Sequence, residues 1–333
     1  MTSRNEVVLE RPVDPLLALI PLSYSGEFYP YGFPAKVVSN SPLVLEAAQE
    51  SWGGYRKRFG PGAMEVRCLV GEGTDGRVPP PPVVRAQGNL LISVADRDNF
   101  ACCDLLKGFA SAWVTRAVVE AREYFLYHVL EAMMYTLLDQ LFVVAVHAAC
   151  VTRNGHGVLL AGDSGAGKSS LAYACARRGW VYSSDDSSMI VRRERGRTVL
   201  GNPRLFRFRR TAGELFPEFR GMKESHRGNG KPTIEVRTEA LPAIRTALES
   251  RVDYVVFLNR RDVCNGHAQI YPVSKEEAMG RLFFDPWPAD LPARQERRAA
   301  VERLASAPAC ELRYRELDQA VDILEQLVVG GLS

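Results

Sequence analysis

Apolar residues fall into two rhythms along the chain. Between about 104 and 141 they recur at helical steps, most clearly at Leu126, Leu130, Met133, Leu137 and Leu141, a spacing that gathers them on one face and predicts a packing stripe. Past that stripe the rhythm shortens into unbroken apolar runs at 142–146, 158–161 and 254–258, and Val181-Tyr182-Ser183-Ser184 reads as a further buried strand, the pattern of strands covered on both faces. Helical spacing returns at 169–178, through Leu171, Ala172, Ala174 and Cys175, and at 316–328, through Leu317, Ala320, Val321, Leu324, Leu327 and Val328. Buried strands alternating with amphipathic helices predict a layered α/β domain over 141–333.

The first hundred residues are punctuated differently. Pro12, Pro15, Pro21, Pro30, Pro34 and Pro42 break them into short pieces, and Pro79, Pro80, Pro81 and Pro82 make a stiff surface connection. Strands are expected at 64–70 and 90–94, so residues 1–140 read as a smaller N-terminal α/β domain that ends in a long helical segment. Tyr24, Phe28, Tyr29, Tyr31 and Phe33 cluster beside Gly26 and Gly32, and such bulky rings supply core area more often than they line a ligand surface. A length of 333 residues also exceeds what one hydrophobic core usually organises.

Composition excludes more than it assigns. Lys and Arg number 42 against 39 for Asp and Glu, a net charge of +3, too balanced to announce a nucleic-acid or membrane-surface partner. The seven cysteines show no metal-type spacing and make an odd set for disulfides, so a reducing cytoplasm is the expected setting. The N-terminus lacks the basic and apolar regions of a secretory signal. The apolar stretch near 137–151 is interrupted by Asp139, Gln140 and His147 and is too short to span a bilayer.

One octapeptide carries the chemistry. Gly162, Asp163, Ser164, Gly165, Ala166, Gly167, Lys168 and Ser169 match G-x-x-x-x-G-K-[ST], followed by Ser170. Glycines in this pattern let backbone N–H groups turn inward around phosphate oxygens, while the lysine and the hydroxyl serve the β/γ-phosphates and Mg²⁺. The context is right, with an apolar strand before it and a helix after it that Gly179 stops. Asn154-Gly155 predicts a hairpin turn between the flanking strands, which sets His147 across from Gly162 or Asp163. There it either touches phosphate and carboxylate or is a core imidazole. Asp185 and Asp186 follow the strand at 181–184, either as metal ligand and proton acceptor or as a solvated turn.

Val146-His147-Ala148-Ala149, the hairpin, the run from Gly162 to Ser170, Arg177-Arg178-Gly179 and Ser183-Ser184-Asp185-Asp186 together resemble the catalytic domain of HPr kinase/phosphorylase and its relatives, P-loop kinases that act on serine hydroxyls. The resemblance covers roughly 146–190. It implies a P-loop kinase core of the HPr kinase type, a mixed sheet flanked by helices, using ATP and Mg²⁺ and commonly assembling into homo-oligomers. By that resemblance His147 matches the active-site histidine, Lys168 the phosphate-binding lysine, Ser169 the Mg²⁺ ligand and Asp186 the proton acceptor, with Asp185 supporting metal or base. The chain departs from HPr kinase itself. An E-I-R-G-L-G stretch is absent, residues 201–210 (Gly-Asn-Pro-Arg-Leu-Phe-Arg-Phe-Arg-Arg) stand in its place, and the N-terminal portion does not match the regulatory domain. The implied acceptors therefore extend beyond HPr to other proteins or peptides.

Further cations surround this pattern. Residues 192–210 hold eight arginines and one acid. Within them Phe206 and Phe208 fall on one strand face, and Arg207 and Arg209 on the other. Arg207, Arg209, Lys231 in the glycine-rich loop 228–232, and Arg260 after the strand at 254–258 are the candidate phosphate or substrate contacts. His226 reads as a surface residue, and Asp285-Pro286-Trp287-Pro288 as a rigid loop. The leading expectation is a Mg²⁺-dependent kinase that places the γ-phosphoryl of ATP on a serine or threonine hydroxyl. The alternatives are a small-molecule hydroxyl kinase and a nucleotide-responsive binding protein without transfer.

Overall fold

Burial on both faces organises the larger part of the chain. The computed structural model describes residues 20–60, 64–73, 76–194, 196–226, 232–261, 266–287 and 293–332. The chain divides into two compact units: Met1–Val84, Ile92–Cys102 and Phe109–Met133 form one, and Arg85–Leu91, Cys103–Gly108 and Met134–Ser333 the other.

The N-terminal strands are β1 (Tyr24–Phe28), β2 (Ala35–Ser39), β3 (Met64–Gly71), β4 (Val83–Gln87), β5 (Leu90–Val94), β6 (Phe100–Asp104) and β7 (Phe109–Thr115). They form a seven-stranded sheet in the order β1-β2-β3-β7-β6-β5-β4. Helix α1 (Pro42–Trp52) buries Val44, Ala47, Ala48 and Trp52, and the Trp52 ring meets Phe28 edge-on at 6.3 Å. Phe33 stacks on Phe59 at 4.2 Å and Tyr31 packs against Tyr55, whereas Tyr24 is exposed. The aromatic cluster is thus largely core.

The helical segment is shorter than the sequence rhythm suggests. Helix begins only at α2 (Arg116–Glu120), where the Thr115 hydroxyl accepts from the Val118 N–H at 3.4 Å. It continues through α3 (Arg122–Phe125), a π-turn over Leu126–Leu130 and α4 (Glu131–Leu141). Residues 104–115 belong instead to the end of β6, a turn and β7. Here Ala110, Ala112 and Val114 alternate into the core, and parallel pairing of β7 with β3, helped by the strand preference of Phe109, Trp113, Val114 and Thr115, makes the segment extended. No helix among the described residues is long and apolar enough to cross a membrane.

The second unit contains β8 (Val143–Val146), β9 (Ala148–Arg153), β10 (His156–Ala161), α5 (Lys168–Arg177), β11 (Val181–Ser184), β12 (Ser188–Val191), β13 (Thr198–Leu200), β14 (Leu205–Phe208), α6 (Ala212–Leu215), β15 (Ser225–His226), β16 (Pro232–Arg237), β17 (Arg245–Thr246), β18 (Glu249–Asn259), β19 (Gln269–Val273), α7 (Lys275–Leu282), α8 (Ala293–Ala305), β20 (Ala309–Arg313) and α9 (Leu317–Gly330). Its main sheet runs β17-β11-β9-β10-β18-β13-β12-β8, with β20 joining β18 and β19 joining β20. The β9–β10 hairpin turns at Asn154 and Gly155, both at positive φ (52° and 83°), as a two-residue turn between twisted strands requires.

Alternate residues of the central strands feed two cores. Ala149, Val151, Val158, Leu160, Val256, Leu258, Cys310 and Leu312 pack with α5 and α9 on one side. Ala148, Cys150, Leu159, Ala161, Val255, Phe257 and Ala309 pack with α7 and α8 on the other. This α/β layering explains the unbroken apolar runs. Because β10, β18 and β20 are parallel while β9 runs against both β10 and β11, the ends of β10, β11, β18 and β20 and the start of β9 share one sheet edge. In parallel α/β sheets that edge is where ligands gather.

A small sheet, β14-β16-β15, is moored to this layer by rings. Phe206 stacks on Tyr182 at 3.8 Å and meets Tyr173 of α5 at 5.2 Å, and Tyr173 also touches Phe208, Phe216 and Phe219. Phe206 and Phe208 are fully buried, which orients the alternate residues of β14 away from this cluster. Phe206→Ala is expected to destabilise the protein by about 3–5 kcal/mol, the usual loss for a buried ring. Urea denaturation measures it, and a loss below about 1 kcal/mol would contradict the mooring role.

Candidate functional site

Residues 162–167 connect the buried end of β10 to α5. Gly162, Gly165 and Gly167 have φ of 152°, 94° and 98°, backbone that side chains resist. Close packing enforces the same choice at Gly167, where an added Cβ would lie 2.5 Å from the Tyr314 hydroxyl. Tyr314, wholly buried just past β20, donates from that hydroxyl to the Ala166 carbonyl at 2.9 Å. Burial pushes its phenol well above the ordinary range, so it stays a neutral donor. Helix α5 then opens at Lys168, aiming its first unpaired N–H groups and positive dipole end back into the loop.

Lys168 is 6% exposed, and its ammonium donates to the Gly162 carbonyl at 2.7 Å and the Asp163 carbonyl at 3.3 Å. Burial lowers its pKa, opposed by the charges of Asp186 and Asp163. Arg209 reaches the loop from beyond β14 and donates to the Ser164 hydroxyl at 2.7 Å. Arg260 lies over the Tyr314 ring at 5.6 Å and donates to the Arg315 carbonyl at 3.2 Å.

The aspartates after β11 differ in surroundings. Asp185 is buried and accepts the Arg207 backbone N–H at 2.6 Å. Burial raises its carboxyl to about 6 against the pull of the Arg207 guanidinium and that N–H. Asp186 is half exposed, with its Oδ1 3.3 Å from His147 Nδ1. The same His147 nitrogen lies 2.9 Å from the Asp186 carbonyl oxygen. Both neighbours are acceptors, so Nδ1 carries the proton and Nε2 is left as the second ring position. Pairing of Ala148 with Ala161 sets His147 opposite Gly162. A buried hydroxyl bridge from Ser184 to Ser188, 2.7 Å long and continued to the Ala148 carbonyl at 3.0 Å, closes the turn that bears both aspartates.

A cavity of about 1040 Å³ brings part of this set together, while Gly167, Lys168, Ser169, Ser170 and Arg209 are not among its lining residues. Its lining includes His147, Gly162 to Ala166, Asp186 and Arg260, with Phe257, Arg281, Phe284 and Glu311 on a further wall. Asp185 does not line it, and the Arg207 guanidinium turns to Glu235 at 3.4 Å. Lys231 lies outside the described residues. The loop at 285–287 packs instead: Trp287 Nε1 donates to Asp139 at 2.5 Å, and Arg297 bridges Asp139 and Asp285. Tyr314 had no local sequence signal, since it acts through a carbonyl 148 residues away that the fold brings near. Among the described residues no three His, Cys, Asp or Glu side chains are placed to hold a metal. The available oxygen donors, the Ser169 hydroxyl and the aspartates, suit Mg²⁺, which takes one or two protein ligands and completes its shell with water and phosphate.

Comparison with known proteins adds three findings. The family model described as SynChlorMet cassette protein ScmC matches residues 121–201. A 58-residue stretch is 40% identical to "Putative HPr kinase/phosphorylase 2" of Oceanobacillus iheyensis, over 17% of this chain and 19% of that protein. The chain therefore spans about a fifth of that relative's length in the match. The Hpr(Ser) kinase/phosphatase structure from Coxiella burnetii aligns over 56% of this chain and 93% of its own at 12% identity, with a TM-score of 0.27.

The raised Asp185 carboxyl makes a stability prediction. Its neutral form is favoured in the folded chain, so the stability it contributes is complete below about pH 4 and is lost as pH rises through about 6. Asp185→Asn cannot ionise. It is expected to exceed the parent in stability at about pH 7.5 by on the order of 3 kcal/mol, at roughly 1.36 kcal/mol per pK unit, and to lose that advantage near pH 3.5. Urea titrations at the two pH values decide; an advantage independent of pH would rule out the buried-carboxyl account.

Proposed function

We propose that the second unit binds ATP with Mg²⁺ and transfers the γ-phosphoryl to a serine or threonine hydroxyl of a protein or peptide. The observation that carries this reading is that the half-exposed Asp186, partnered by His147, lines the same cavity as the glycine-rich loop. A loop of that kind without a carboxylate would suit binding alone; a carboxylate beside it suits transfer.

The roles follow from the contacts. Loop N–H groups and the N-terminus of α5 hold phosphate oxygens, and Lys168 exchanges its loop carbonyls for the β/γ-phosphates. Mg²⁺, when bound through the Ser169 hydroxyl and an aspartate, would screen phosphate charge. Asp186 takes the proton from the acceptor hydroxyl as that oxygen bonds to the γ-phosphorus, while the bond from phosphorus to the ADP oxygen breaks. His147, with Nδ1 beside the Asp186 carbonyl and Oδ1, holds that carboxylate in position. Arg209, already on Ser164, is near enough to the loop to share the charge spread over the moving phosphoryl. The acceptor class draws support from the resemblance over 146–190 and from the 40% identical stretch shared with the kinase/phosphorylase relative.

Incubation of the full chain with γ-labelled ATP, Mg²⁺ and a cell lysate, followed by separation of polypeptides from metabolites, tests this function. Label is expected on a polypeptide. Label on a metabolite alone would move the acceptor to small molecules, and no label at all would leave a binding protein. Lys168→Ala should abolish labelling. Asp186→Asn should slow it by about 10²–10⁴-fold, the range for a lost general base, with nucleotide affinity changed less than about threefold, under 1 kcal/mol. Undiminished transfer by the Asp186 variant would remove this residue as proton acceptor.

A further inference from the structure

The second unit contains a separate cluster of arginines. The turn after β12 and one face of α8 form an open surface hollow of about 530 Å³ lined by Arg192, Arg193, Glu194, Glu296, Ala299 and Arg303. It shares no lining residue with the larger cavity. Arg192 is 5% exposed. One of its terminal nitrogens donates to the Leu141 carbonyl at the end of α4, but its Nε and Nη1 have no hydrogen-bond partner among the described residues. Arg303 donates from Nη2 to the Arg192 and Val191 carbonyls at 2.7 and 3.2 Å, while its Nε is buried and likewise without a partner.

The counter-charge is thin. Glu296 is 3.8 Å from Arg192 Nη1 and 3.4 Å from Arg193 Nε, and it is itself 43% exposed. Three arginines thus face two glutamates around one hollow. A buried guanidinium left with unsatisfied N–H groups costs about 1–3 kcal/mol per unsatisfied group, and an anion oxygen brought against any of them gains a charge-assisted hydrogen bond.

We propose that this hollow binds a small doubly charged oxyanion, a phosphate or a dicarboxylate, with Arg192 and Arg303 as its principal ligands and Arg193 at the mouth. Glu296 occupies part of the positive field and competes with the ligand. Removing its charge therefore strengthens binding, and removing an arginine weakens it.

Isothermal titration of the full chain with inorganic phosphate and with malonate, at constant ionic strength, tests the site. A Lys168→Ala background separates it from anions held by the glycine-rich loop. In that background Arg303→Met is expected to weaken binding at least about tenfold, and Glu296→Gln to tighten it about two- to fivefold, the scale of one exposed ion pair. Tighter phosphate assigns the site to phosphate groups and tighter malonate to dicarboxylates, and either supports it. Should Arg303→Met fail to fold, Glu296→Gln alone decides. Affinity unchanged or weakened in Glu296→Gln, or no titratable binding of either anion, overturns the proposal.

Discussion

Ala161 ends a strand covered on both faces, and that double burial leaves the following loop little freedom. With Val158 and Leu160 held in one core and Leu159 and Ala161 in the other, β10 can neither slide nor rotate without exposing one set. Its end point fixes where the chain must turn. The turn is then narrowed from below by Tyr314 and from the side by the Leu258 carbonyl, which an added Cβ on Gly162 would approach to 3.1 Å. The nest is held by walls more than by its own bonds.

Against that rigid base, buried charge is distributed sparingly. Lys168 satisfies its ammonium on loop carbonyls, and Asp185 receives a backbone N–H. Neither is left to repulsion in a low-dielectric interior, which would be several kcal/mol more costly. Asp186 and His147 stay half exposed at the rim, where a proton can enter and leave through solvent. Depth thus sorts the groups: those that hold are buried, and those suited to exchange protons are at the surface.

The strands and helix flanking the glycine-rich loop, and the hairpin before it, were legible because each is specified by neighbours within a dozen residues. The register of that hairpin was legible too, since Asn154 and Gly155 fix it by turn geometry. Three features were not. Strand β7 buries Ala110, Ala112 and Val114 on one face through pairing with β3, a strand distant in sequence that a local helical spacing count does not see. Tyr314 lies 148 residues from the carbonyl it supports. The adjacent Asp185 and Asp186 look alike in sequence, yet the bend after β11 buries the first while the second lines the cavity. The basic stretch at 192–210 also hides a division that charge counting misses, with Arg192 buried and Arg193 in solvent.

The hydroxyl bridge between Ser184 and Ser188 is built from uncharged groups. Its strength is therefore indifferent to salt and to the ionisation of anything nearby, unlike every ion pair around it. Alignment of the aspartate-bearing turn is entrusted to a neutral fastener, so a change of protonation at either carboxylate leaves that fastener in place.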